Sequence, residues 1–257
     1  MGTSMARKAP TGKYWRLAKT SASRFGSPKN TGQVSAAEVV ARYVIAVKHN
    51  PEGIGPTPAA PIFPQIRQVA GNLGRFYQKL ALYGSDQALG DLGLGELIGS
   101  PLQTTLPVLV DTLAGAGAAL EEAVARSALI EVLAKEFSPT MNGFNKWEEL
   151  RPGEPSARII SGRIRNFLAE AVYQKLASDL GEALEAQAKD INSGVQRQLE
   201  LRKFIQGRLD PQTEGKEEFE LSWSEDQVLA WIDRQLRHLL NRLEQEHGFQ
   251  NLYPGSS

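Results

Sequence analysis

The sequence predicts an all-α protein: an irregular bundle of about seven helices with a flexible basic arm at its N-terminus. Three observations carry this prediction. Apolar residues recur at helical spacing in seven stretches, Gly and Pro clusters punctuate the chain between them, and almost nothing alternates with the period of a strand. With 257 residues and 41% apolar content, the chain has enough material for a substantial core.

The arm is read over residues 1–34. It holds Arg7, Lys8, Lys13, Arg16, Lys19, Arg24 and Lys29 against no acid, whereas the whole chain has 29 basic and 29 acidic residues. The head is therefore strongly cationic and the body anionic by the same amount. Residues 1–34 are rich in Gly, Ser, Thr, Lys and Pro without a sustained apolar period, so an irregular arm is expected, with Tyr14, Trp15, Leu17 and Phe25 available to dock. The remainder, 35–257, is read as a single all-helical domain.

The first helix begins where Ser35 and Glu38 form an S-x-x-E capping box; Val39, Val40, Tyr43, Val44 and Val47 follow at helical spacing, and Asn50-Pro51 stops the run. Residues 51–64, "PEGIGPTPAAPIFP", form a Pro-rich connector and the candidate sub-boundary within the domain. Pro64 opens a second helix whose stripe is Ile66, Val69, Leu73, Phe76, Tyr77 and Leu80. Gly71 and Gly74 within it each cost about 1 kcal/mol relative to Ala, so a close helix contact is expected there.

The stretch "GDLGLGELIGSP" (90–101) reads as a tight turn with Leu92, Leu94, Leu97 and Ile98 plugging a helical core. A phosphate-loop reading fails on spacing: Gly93, Gly95 and Gly99 give G-x-G-x-x-x-G, and no G-K-[ST] occurs. Ser100-Pro101 starts the third helix, which Pro107 is expected to kink or restart. Residues 118–137 give a fourth, with Leu120, Val124, Leu129, Val132, Leu133 and Phe137 inward. After a loop over 138–155, two long patterns run near 156–181 and 182–208. The second has a thin stripe through Leu184, Ile191, Val195, Leu199 and Ile205, which suits an exposed arm or a partner-binding helix. Residues 210–226 carry a short alternation compatible with a lone strand, and Ser224 with Gln227 caps the last helix.

Catalytic signals are sparse. With no cysteine, disulfides, thiolate metal sites and cysteine nucleophiles are excluded. His49, His238 and His247 stand far apart without a metal-binding spacing, and the acid pairs Glu121-Glu122, Glu148-Glu149 and Glu217-Glu218 point in different directions on a helix. No catalytic residue, metal site or cofactor is predicted, and the chain is expected not to be an enzyme. Lacking a run of 18 apolar residues and a signal-like N-terminus, it is expected to be cytoplasmic and not to bind membranes.

Two features remain. Arg7, Lys8, Lys13, Arg16, Lys19 and Arg24, interleaved with Tyr14, Trp15 and Phe25, are candidate nucleic-acid contacts: cations for phosphates and rings for unpaired bases. This makes a nucleic-acid-binding adaptor the alternative function. The start "MGTSMA" lacks the Ser or Thr that acylation of Gly2 wants at position 6, where Ala6 stands. Removal of Met1 would expose the Gly2 amine, and an α-amine with pKa about 7.7–8.0 is partly neutral and nucleophilic at pH 7.

The start "MGTS", the turn "LGDLGLGELIGSP" and the following "VLVDTLAGAGAALEEAVARSALIEVLAKEF" resemble the B component of the Qat anti-phage defence systems. The likeness is strongest over 1–4 and about 86–137, with a looser similarity of helix order over 156–208 and 224–246. The head departs from the family pattern, carrying "KYWRLAKTSASRF" where the family has a Pro-rich segment. The resemblance implies a non-catalytic scaffold or effector subunit working through protein–protein interaction. Its operon partners would be an ATPase, a TatD-like nuclease and a QueC-like enzyme that attaches a deazaguanine to Gly2 through an amide. Thr3 and Ser4 would be recognised by that modifying enzyme.

Overall fold

The computed structural model of the chain describes residues 12–27, 29, 32–49, 62–115, 117, 119–136, 155–186, 188, 190–208 and 218–245. Among these residues there are nine α-helices, one 3-10 turn at Gly95–Leu97 and no strand. The helices are α1 (Lys13–Gly26), α2 (Ala36–His49), α3 (Pro64–Tyr83), α4 (Ser85–Asp91), α5 (Leu102–Ala114), α6 (Leu120–Glu136), α7 (Ala157–Glu185), α8 (Ile191–Gln206) and α9 (Glu225–Gln245).

All seven expected helices are present, and α1 and the short α4 join them. The irregular reading of 1–34 is thus corrected over Lys13–Gly26, which is helical. Its buried stripe is Trp15, Ala18, Ser21, Ala22, Phe25 and Gly26, and four of these six are too small to register as an apolar period. The expected lone strand is corrected too: residues 218–223 form a turn, with Trp223 N–H donating to the Glu220 carbonyl. That turn is pinned by Phe219 N–H donating to Ser161 Oγ at 2.8 Å and by edge-to-face contacts of Phe219 with Trp223 and Trp231. Leu184, expected at the head of the second long pattern, instead closes α7.

The caps follow the sequence. Ser35 Oγ accepts from Glu38 N–H, and Ser224 with Gln227 forms a reciprocal box: each backbone N–H donates to the other's side chain. Pro107 neither restarts nor stops α5, which continues through it. The ring removes one bond to the Gln103 carbonyl, on an exposed side where water can serve that group.

Contacts divide the chain into two compact units: Met1–Ile62 with Leu176–Phe204 and Leu240–Ser257, and Phe63–Lys175 with Ile205–Leu239. In the first, α2 buries Val39, Val40, Tyr43, Val44 and Val47, while α7, α8 and α9 contribute Leu180, Leu184, Leu201 and Leu243. Lys48 Nζ donates to Asn241 and Glu244.

In the second unit α3 buries all six of its expected stripe residues. Its glycines are explained by close packing: a Cβ on Gly71 would lie 2.6 Å from Leu229 Cδ2, and one on Gly74 would crowd Ile164, Val228 and Phe219. The N-terminus of α3 follows Phe63 at φ 56°, a left-handed conformation unusual for a bulky residue. Glu121 Oε1 accepts from the N–H groups of Gln65 and Ile66, so a carboxylate 55 residues away caps the helix.

The turn at 90–99 differs from expectation. Leu92, Leu94 and Leu97 are only half-buried and Ile98 is exposed, so none of them plugs the core. Ala88 and Leu89 of α4 do that, and the turn is held by its own backbone bonds, with Gly93 and Gly99 at positive φ. Lys79 hydrogen-bonds Asp91 and holds its carboxyl below the usual carboxylate range.

Candidate functional site

The best-defined candidate surface is α1. With 100° between successive residues, Trp15, Ala18, Ala22 and Phe25 fall on one side and Lys13, Arg16, Thr20 and Arg24 on the other. The inner side is well seated: Trp15 is 4% exposed, Phe25 1%, and Ala18 and Ala22 are fully buried. Trp15 meets the Tyr43 ring edge-on at 5.8 Å, and Tyr43 donates from its hydroxyl to Asp179 Oδ2 at 3.0 Å. Tyr14 packs on Ala41 and Ile45 of α2 and stacks on His49 with 4.9 Å between centroids. At the far end, a Cβ added to Gly26 would lie 2.0 Å from the Leu184 carbonyl oxygen of α7, so only glycine fits there. Arg197 of α8 lies over the Phe25 ring at 4.9 Å and pairs with Glu200 at 3.0 Å.

The outer side carries charge of one sign. Four cations and no acid lie within Lys13–Gly26. Lys13, Arg16 and Arg24 are exposed and Lys19 is half-buried. Beside them is a shallow depression of about 510 Å³, lined by Lys19, Thr20, Ser23, Arg24, Ser27 and Ala183. Thr20 Oγ1 donates to the Arg16 carbonyl, so its hydroxyl can only accept from a ligand.

Of the predicted site residues, Lys13, Arg16, Lys19 and Arg24 are therefore brought together on one helix. Gly2, Thr3, Ser4, Arg7 and Lys8 lie outside the described residues. His238 is exposed on α9 and His49 is stacked on Tyr14, while His247 lies outside the described residues. Among the described residues, no group of three or more His, Asp or Glu gathers to hold a metal ion. Also among them, no helix is long and apolar enough to cross a membrane. Sequence reasoning missed that the cations sit on a docked helix. The recoverable signal was Trp15, Ala18, Ala22 and Phe25 at intervals of three, four and three.

Residues 55–242 match the family model described as Qat anti-phage system associated protein QatB. The chain belongs to the QatB family. It is accordingly a component associated with the Qat anti-phage defence system, as the resemblance of its turn and α5–α6 residues implied. The match takes in α3 to α8 whole and α9 up to Arg242, whereas residues 1–54, with Gly2, α1 and α2, lie outside it. Comparisons with curated proteins and with solved structures found no match.

Proposed function

We propose that this chain is a non-catalytic scaffold or effector subunit of an anti-phage defence system, acted upon at its N-terminus by a QueC-like partner. The observation that carries the reading is membership of the QatB family over 55–242. In such a system the partners are products of the same operon: the QueC-like enzyme, an ATPase and a TatD-like nuclease. The setting is the bacterial cytoplasm.

The chemistry proposed for Gly2 is amide formation. The amine freed by removal of Met1 attacks the activated carboxyl carbon of a deazaguanine. A C–N bond forms, the activating group leaves with the bonding electrons, and the nitrogen loses a proton. An α-amine suits this role better than a lysine, because more of it is neutral near pH 7. Thr3 and Ser4 supply the small polar context that the modifying enzyme reads.

Intact-mass measurement of the chain co-expressed with its operon tests this. An added mass on the N-terminal peptide, absent from Gly2→Pro, is expected, together with loss of phage protection by that variant at an unchanged melting midpoint. An unmodified N-terminus, or a mass change that survives Gly2→Pro, overturns it.

A further inference from the structure

Helix α5 is the least charged of the long helices. Its 13 residues, LQTTLPVLVDTLA, include one ionisable side chain, Asp111, whereas α1, α2, α3, α6, α7, α8 and α9 each hold at least three Lys, Arg, Asp or Glu. The inner side of α5, with Leu109, Val110, Leu113 and Ala114, is buried. The outer side presents Gln103, Thr104, Pro107, Val108, Asp111 and Thr112, all exposed. A solvated helix face carries Lys and Glu, and depletion of charge is the compositional mark of a surface that another protein covers. Four of these six residues are Pro or β-branched, so little rotamer freedom is lost when they are covered.

We infer that this face is where two copies of the chain meet, α5 lying antiparallel on α5 about a two-fold axis that passes between Pro107 and Val108. A two-fold contact has to be self-complementary. At 100° per residue, Thr104 and Asp111 fall within about 20° of each other in the middle of the exposed face, and they are equally far from the axis along the helix. Antiparallel pairing therefore sets the Thr104 hydroxyl of each copy against the Asp111 carboxylate of the other, while Pro107 and Val108 of both copies close on the axis. Parallel pairing would oppose Asp111 to Asp111. Within its own chain Asp111 pairs with Arg126, which also donates to the Gly115 carbonyl, so the carboxylate is held in position. The exposed apolar stripe of α8, with Ile191, Val195 and Leu199, lacks this property: an antiparallel pair centred on Val195 sets Glu200 level with Asp190 of the other copy. Because α5 is only about 20 Å long, the contact falls below the standard interface size, and association in the micromolar range is expected.

The Gly2 reading is not needed for this contact, so the full chain expressed alone serves for the test. Sedimentation equilibrium between about 1 and 200 µM should show the mean mass rising from that of one chain towards that of two. Val108→Glu places two carboxylates side by side at the axis and should hold the chain as a single copy at every concentration. Val108 is exposed, so the melting midpoint should not move. Thr104→Lys, which adds two symmetry-related charge pairs with Asp111, should tighten association roughly tenfold, and this gain should vanish at about 1 M salt. Thr104→Asp should weaken it.

A wild type that remains a single copy at the highest concentration overturns the assignment, as does a Val108→Glu chain that associates like the wild type. Equal association by Thr104→Lys and Thr104→Asp would refute the antiparallel register. Loss of association in Ile191→Glu, with Val108→Glu unaffected, would place the contact on α8 instead.

Discussion

Gly26 and Gly71 look alike in the sequence, each a glycine near or within a helix, and the structure separates them by what a methyl group would meet. At Gly26 the obstacle is the Leu184 carbonyl oxygen, a backbone atom that cannot step aside. At Gly71 it is the end of the Leu229 side chain, which can change rotamer. Gly26→Ala should therefore destabilise by about 2–3 kcal/mol in urea titration and Gly71→Ala by less than about 1 kcal/mol, since helix propensity favours Ala there. Equal costs would show that α1 does not approach α7 as described. Glu121 poses a different case: Glu121→Ala strips two backbone donors at the start of α3 of their acceptor, and a loss of about 1–2 kcal/mol is expected by the same method. The Ser35 and Ser224 caps were legible because donor and acceptor lie three residues apart. The Glu121 cap was not, because its partners are brought to it by the packing of α6 near α3.

At the scale of the element, α1 is the instructive helix. Its stripe is mostly small residues, and small residues bury well only when a neighbour is shaped to receive them, which a period count does not see. Trp15→Ala should cost about 3–5 kcal/mol and abolish the contact with Tyr43; a cost under about 0.5 kcal/mol would return this stretch to a loose arm. The turn at 90–99 errs in the other direction. Four large apolar residues in a row of glycines suggested a plug, but a turn that spends its backbone on bonds to itself cannot aim every side chain inward, and Leu89 fills the core alone with Ala88. On α8 the thin stripe divides: Ile191 is 86% exposed and Val195 and Leu199 are also exposed, while Ile205 is buried, as is Leu201 outside the stripe. The expected exposed helix thus holds for Ile191, Val195 and Leu199, whereas the end of α8 joins the core through Leu201 and Ile205.

For the whole molecule, the cationic head and anionic body are facts of composition, but the head is not merely an irregular arm. Over Lys13–Gly26 it is part of the first compact unit. Removing residues 1–27 should lower the stability of that unit by several kcal/mol, because Tyr43, Ala41 and Ile45 would lose their cover. Thermal unfolding that is indifferent to this deletion would contradict the packing.

The sequence by itself determined the helical class, the seven strongly periodic helices, their local caps and the family, because each of these rests on residues within a few turns of one another or on a contiguous match. Tertiary structure alone decided that α1 folds and which of its faces is buried, that Glu121 caps α3, and that the leucines of the glycine-rich turn stay out of the core. Those outcomes depend on groups tens to more than a hundred residues apart, and no local period records what the chain will place opposite them.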